Sequence, residues 1–328
     1  MRASTRVLPE RMTAVRPMQL SVASLRAADN GSGGHRPEAH GQELFLRHIH
    51  RMSTCPFSSC VKEVMGDHLK GDRFMQVETT FGTFFVEKTG EGERTLVLLH
   101  GLGSSGITFS EIGPLLQDQD LLIPDLLGFG RSDRPWRFSY SLLDQAHSVL
   151  QLLDRLNRSA ISIIGHSMGG NVAMAMALLA PDRVDNLIVA EPNLVPTRGK
   201  NRRSISARAD GISESSYVDR FQEIFADFKP TSGTKIFSRL YWNTLQQASP
   251  VAMYRASEAL LDLNEWDVWS LYKTRVTGSL VGERSLEGIH VQKSLTGSAP
   301  LCLIADAGHD MFLENPTSCV AAVRALLA

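Results

Sequence analysis

The chain has 328 residues, 43% of them hydrophobic, and a formal net charge of −1. That is enough for one large α/β domain with an insertion or for two domains, and the balanced charge gives no footing for nucleic-acid binding. No apolar run reaches the roughly 18 residues that a membrane-spanning helix needs, so no membrane span is expected.

The first 64 residues differ in character from the rest. Arginines at positions 2, 6, 11, 16 and 26 dominate the start, and Asn30 to Gly34 is a flexible tract. No continuous apolar segment of secretory type is present, and residues 1–64 read as a poorly ordered extension of a cytoplasmic protein. His35, His40, His48 and His50 lie near Cys55 and Cys60, but their spacing matches no usual zinc pattern and no metal site is expected. Cys302 and Cys319 read as buried, reduced thiols.

The folded part begins near Phe74. Residues 74–80 and 82–88 alternate in part between apolar and polar, as edge strands do. Thr95 to Leu99 is a continuous apolar run, the pattern of a strand buried on both faces. Phe109 to Leu116 reads as helical, and Leu121 to Pro124 as another buried strand. Ser141 to Leu156 carries apolar residues at helical spacing with Ser141 as N-cap. Ala160 to Ile164 reads as a strand and Asn171 to Leu179 as a helix. Further strands are expected at 187–190, 276–281 and 300–305, and an amphipathic helix at 316–327. Strands alternating with helices predict an α/β fold, with a mostly parallel central sheet flanked by helices. Ligands of such sheets bind outside the carboxyl ends of the strands.

Between residues 195 and 273 the alternation breaks. The stretch opens with Arg198, Lys200, Arg202, Arg203 and Arg208, then turns helical and aromatic, with Tyr217, Phe221, Phe225, Tyr241 and Trp242 among its rings. It reads as a helical cap, residues 195–273, inserted into a core made of residues 65–194 and 274–328. Most of its aromatic rings pack the cap onto the core, and a few line a pocket.

The segment that carries most chemistry is Gly165-His166-Ser167-Met168-Gly169, set between the strand at 160–164 and the helix at 171–179. A sharp strand-to-helix turn strains the serine, pushes its hydroxyl outward, and aims the Met168 N–H and the helix N-terminus at the reacting centre. A hydroxyl needs a base, and His309 follows the last strand beside Gly308, where a loop turns inward. His100 and His166 flank the site and read as structural. Asp125 reads as a holder of loop geometry.

Four segments in order give the chain its resemblance to the α/β-hydrolase superfamily, over Phe74 to Ala328. They are His100-Gly101-Leu102-Gly103, the stretch from Asp125 to Ser132, the Gly165-to-Gly169 elbow, and Ala307-Gly308-His309. The resemblance implies Ser167 as nucleophile, His309 as base, and an oxyanion hole from the backbone N–H groups of Leu102 and Met168. Many relatives place the triad aspartate three residues after a glycine at the end of the next-to-last strand. Here that position is Ser285, which cannot carry the charge. Two substitutes remain: Glu191, where some relatives keep the acid, and Glu283 as the alternative.

These residues predict a serine hydrolase, needing no cofactor, that cleaves a carboxylic ester or lactone through an acyl-enzyme. An aromatic cap suits a bulky apolar small molecule, conceivably a macrocyclic lactone. A thioesterase, C–C hydrolase, perhydrolase or acyltransferase shares the same triad, and a small-molecule receptor shares the fold. An ordinary histidine pKa places the rise of activity at about pH 6–7. The oligomeric state is not legible.

Overall fold

Inner strands of the parallel sheet feed two cores at once, which explains their largely apolar runs. In β3 (Thr95–Leu99), Val97 and Leu99 enter the core on one face of the sheet and Leu96 and Leu98 that on the other. The same split recurs in β6 (Val184–Ala190), where Leu187 and Val189 face one way and Ile188 and Ala190 the other. The computed structural model describes residues 73–195, 205–234, 236–286 and 299–328. The N-terminal extension and its histidine and cysteine cluster lie outside the described residues, as do Arg198, Lys200, Arg202 and Arg203.

Among the described residues, eight strands form one sheet in the order β1-β2-β4-β3-β5-β6-β7-β8. β1 (Phe74–Thr79) and β2 (Gly82–Thr89) pair antiparallel, with Phe74 opposite Glu87, and β2 runs antiparallel to β4 (Asp120–Pro124). From β4 onward, through β3, β5 (Ile161–His166), β6, β7 (Gly278–Gly282) and β8 (Leu301–Ile304), every pairing is parallel. The chain places β4 on one side of β3 and β5 on the other. The strand order thus reverses at β3, and ligands of such sheets bind beyond the strand ends at a reversal of this kind.

Helix α1 (Leu142–Arg155) starts where its cap predicts: the Ser141 hydroxyl accepts from the Asp144 N–H at 3.1 Å. Helix α2 (Met168–Leu179) follows the elbow directly. The helix expected over 109–116 is absent. Two short 3-10 turns, Gly106–Phe109 and Gly113–Leu115, stand there, because Pro114 removes an N–H and Gly113 weakens any helix running through. Cys319 is buried as expected, but Cys302 is only half-buried, since β8 forms the edge of the sheet.

Five helices lie between β6 and β7 among the described residues: α3 (Glu214–Asp219), α4 (Phe221–Ile224), α5 (Ile236–Gln247), α6 (Pro250–Leu261) and α7 (Glu265–Arg275). They are tied to the loops of the core by polar contacts. Arg134 donates to the Gln247 carbonyl at 2.6 Å, and Ser249 N–H to the Gly128 carbonyl at 2.8 Å. Arg255 pairs with Glu214 at 2.8 Å and donates to the carbonyls of Trp136 and Phe138. Gly128 lies so close beneath α6 that a Cβ there would stand 2.4 Å from the Ala252 methyl. The chain closes with α8 (Met311–Glu314) and α9 (Pro316–Leu327). No helix among the described residues is long and apolar enough to cross a membrane.

Candidate active site

The elbow has the strain that its sequence predicts. Ser167 sits between β5 and α2 at φ 52°, ψ −123°, a region that residues with a side chain rarely adopt. Its flanking glycines are required by close approach. A Cβ on Gly165 would stand 2.4 Å from the Gly169 carbonyl oxygen, and one on Gly169 2.2 Å from that of Leu99. The turn is held by Ser167 N–H to the Ala190 carbonyl and Gly170 N–H to the Ser167 carbonyl, both 2.9 Å. The result is a half-buried serine between fully buried neighbours. Met168 opens α2, so its N–H has no intrahelical acceptor.

The loop after β3 crosses directly over Ser167. A Cβ built on Gly101 would lie 3.1 Å from the Ser167 Cβ. His100 anchors this loop from below. Its Nε2 accepts from Leu126 N–H at 2.9 Å, which leaves the proton on Nδ1 to donate to the Gly101 carbonyl at 2.8 Å. Burial pushes the His100 pKa down, against the pull of Asp125 and the Gly101 bond, so the neutral form persists. Asp125 does the structural task read for it: its carboxylate accepts from the N–H groups of Gly106 at 2.7 Å and Arg131 at 2.8 Å. From the other side, the Tyr241 hydroxyl on α5 donates to the Leu102 carbonyl at 3.2 Å. No spacing in the sequence singles out Tyr241 from the other rings of the insertion.

Glu191 and His309 meet across 118 positions of chain, with Nδ1 2.7 Å from Oε2. Glu191 is 7% exposed and follows β6 at φ 45°, a second strained residue. Its other oxygen accepts from Gly282 N–H at 2.9 Å. Burial raises the Glu191 pKa, but the His309 bond and charge, the Gly282 N–H and Ser285 together hold it below the ordinary carboxylate value. Glu283 is exposed, and its carboxylate accepts from Asp306 N–H at 3.2 Å.

The loop bearing His309 is fixed at several points. Gly308 N–H donates to Glu314, Arg284 pairs with Glu314 at 2.7 Å, and Arg284 N–H reaches the Ala307 carbonyl at 2.9 Å. His166, the residue before Ser167, donates its Nε2–H to the His309 carbonyl at 2.8 Å, and the two rings lie 4.7 Å apart. His309 thus borders the elbow. Burial pulls its pKa down, but its side chain keeps 51% of its surface open, which tempers that penalty. The Glu191 hydrogen bond and the charges of Glu191, Asp310 and Glu314 outweigh it, leaving the pKa above 6.5. An ordinary value was expected; the carboxylates around the ring account for the difference. No group of three or more metal-ligating side chains occurs among the described residues.

The model of the α/β-hydrolase fold family matches residues 94–280, more than half of the chain. The chain belongs to this family. Its first curated relatives match over a short stretch: an uncharacterized protein of Mycobacterium tuberculosis is 40% identical over 95 residues, 29% of this chain and 28% of the relative. Among solved structures, the esterase EaEST from Exiguobacterium antarcticum aligns with TM-score 0.64 at 18% identity, covering 77% of this α/β-hydrolase and 99% of the esterase. A mutant of the N-acyl homoserine lactonase AidH, complexed with N-hexanoyl homoserine, aligns with TM-score 0.61 at 19% identity, covering 77% and 95%. At these identities the structural likeness speaks for the fold.

Proposed function

We propose that this α/β-hydrolase is a serine hydrolase of carboxylic esters or lactones, with Ser167 as nucleophile, His309 as base and Glu191 as acid. The observation that carries the reading is the 2.7 Å pairing of His309 Nδ1 with a buried Glu191, on a loop seated against the strained Ser167 turn. Glu191 keeps the Nδ1 proton in place, so that Nε2 is free to take the Ser167 proton as Oγ bonds to the substrate carbonyl carbon. The negative oxygen that results is held by the N–H groups of Leu102 and Met168. His309 then gives its proton to the departing alkoxide as the carbonyl–oxygen bond breaks. A water, deprotonated by the same imidazole, attacks the acyl-enzyme, releases the acid and restores Ser167 Oγ–H. Electrostatics favour Glu191 over Glu283, because only the former is buried against the imidazole.

The helices at 205–275 serve as a cap over this site, a reading supported by the contact of Tyr241 with the Leu102 carbonyl. Rings such as Tyr217, Phe221, Phe225 and Phe228 pack against one another and hold the insertion together, and an aromatic insertion of this kind suits a bulky apolar substrate.

The test is labelling by a fluorophosphonate probe together with turnover of p-nitrophenyl butyrate and of a lactone panel. The proposal expects labelling at Ser167, loss of both labelling and turnover in Ser167→Ala, and a gain of one water mass on any lactone opened. Ligand binding without labelling or turnover would make the protein a receptor and end the proposal.

A further inference from the structure

His166 is a buried, titratable ring that the proposed chemistry does not use. It is 4% exposed, and its Nε2 lies 2.8 Å from the carbonyl oxygen of His309. A carbonyl only accepts, so the proton is on Nε2 and Nδ1 carries a lone pair. That Nδ1 is fully buried and has no hydrogen-bond partner among the described residues. A side chain serving packing alone would not keep a buried acceptor unsatisfied, since an apolar residue of similar shape removes that cost. The ring is also gripped. It lies 4.7 Å from the His309 ring and packs edge-on to Phe312 at 5.7 Å. Gly101, in the loop over the nucleophile, approaches so closely that a Cβ there would lie 3.5 Å from His166 Nδ1.

We infer that His166 is a positioning residue, which fixes the base relative to the nucleophile by tethering the main chain of His309 to the elbow. The inference rests on the reading of His309 as base. Two ties hold the imidazole in register. Glu191 holds its Nδ1 and so sets the direction of the ring, and His166 holds its own backbone and so sets the place from which the ring swings. The second tie comes from the residue bonded to Ser167, so a displacement of the elbow carries the base with it.

The tether needs a proton on Nε2, and a neutral ring supplies it without placing a second charge beside His309. Burial first, then the positive end of a protonated His309, push the His166 pKa down to about 3, against the pull of Glu191 and of the His309 carbonyl. The groups that act on it are His309, Glu191 and His100; those that act on His309 include Glu191, Asp310 and Glu314. A neutral neighbour also lets His309 take a proton during turnover without meeting a second cation.

The experiment compares His166→Gln and His166→Leu in the full chain. The glutamine amide reaches about as far as Nε2 and keeps a donor; leucine keeps bulk and loses it. Leucine should lower kcat by about 30-fold or more with KM within about threefold, as a misplaced catalytic group does, while glutamine stays within about fivefold of the parent. The acid limb of the kcat/KM profile should broaden or shift in the leucine variant and hold its place in the glutamine variant. Equal activity of leucine variant and parent overturns the inference, as does equal damage by both substitutions in folded proteins.

Long-range 1H–15N spectra of the unsubstituted protein read the same contact without any variant. The expected signature is one histidine that stays neutral and protonated at Nε2 from about pH 5 to 8, lost in His166→Gln. A neutral ring with its proton on Nδ1 at this residue refutes the tether. Because the spectra do not depend on turnover, a protein inert to the fluorophosphonate probe would sink the hydrolase reading while leaving the tether separately measurable.

Discussion

Replacing Glu191 by glutamine tests the acid assignment most sharply, because the structure allows the amide no good arrangement. Both carboxylate oxygens now accept: one from His309 Nδ1 at 2.7 Å, the other from Gly282 N–H at 2.9 Å. A glutamine has one oxygen and one NH2. With the oxygen toward His309, the NH2 confronts the buried Gly282 N–H, and two donors face each other at a cost of about 1–3 kcal/mol. With the oxygen toward Gly282, the NH2 donates to Nδ1, which moves the imidazole proton to Nε2 and disables the base. Either way the negative charge that stabilises imidazolium is gone. A fall in kcat of about 10³- to 10⁴-fold is expected, equal to about 4–5.5 kcal/mol at about 1.36 kcal/mol per decade. Initial rates with p-nitrophenyl butyrate, on protein whose melting curve is intact, give the number. Glu283→Gln should stay within about threefold, because an exposed group on a 3.2 Å contact to Asp306 N–H has little to lose. Glu191→Gln within about tenfold of the parent, or a 100-fold loss in Glu283→Gln, would refute the reasoning.

The raised His309 pKa places the acid limb of kcat/KM above pH 6.5, and activity climbs as pH passes through it; a limb at or below 6.5 contradicts the carboxylate field around the ring. The same pair leaves a mark on stability. His309, raised, contributes below its unfolded value near 6.5 and loses that contribution as pH rises through its folded value; Glu191, lowered, contributes above its unfolded value near 4.5 and loses it as pH falls through its folded value. The melting-temperature gap between the parent and Glu191→Gln should therefore be widest between pH 4.5 and 6.5, and a gap that is flat with pH argues against the linkage. Asp125→Ala strands the N–H groups of Gly106 and Arg131, and urea titration should show a loss of about 2–4 kcal/mol; less than about 1 kcal/mol would mean that the loop finds other acceptors. Tyr241→Phe removes one hydrogen bond on the Leu102 peptide and should lower kcat by about 2- to 12-fold, the equivalent of about 0.5–1.5 kcal/mol, whereas a change confined to KM would place the phenol on the substrate instead.

The strands were legible because a strand buried on both faces is nearly all apolar: Leu96 to Leu99 shows this in the bare sequence and in the sheet, and Ile161 to Ile164 is interrupted only by Ser162. The elbow was legible because close approach to the Gly169 and Leu99 carbonyls admits nothing larger than glycine at 165 and 169. The choice between Glu191 and Glu283 was open, since both follow a strand end and differ only in side-chain direction. That direction is set by the left-handed backbone at Glu191 and by the Gly282 N–H, neither of which sequence spacing records. The helix expected over 109–116 failed on Gly113-Pro114, a break whose effect outweighed the apolar spacing around it. Tyr241 and the second task of His166 were invisible because they depend on contacts across 139 and 143 positions of chain.

The phenol leaning on the Leu102 peptide has a consequence for redesign. Exchanging residues 205–275 for the corresponding module of another hydrolase is an obvious route to new selectivity. The incoming module would bring its own walls but would leave the Leu102 carbonyl without its brace, loosening the residue proposed to supply an N–H to the oxyanion. A graft should therefore carry a tyrosine at the matching turn of its helix, or accept slower turnover along with its altered appetite.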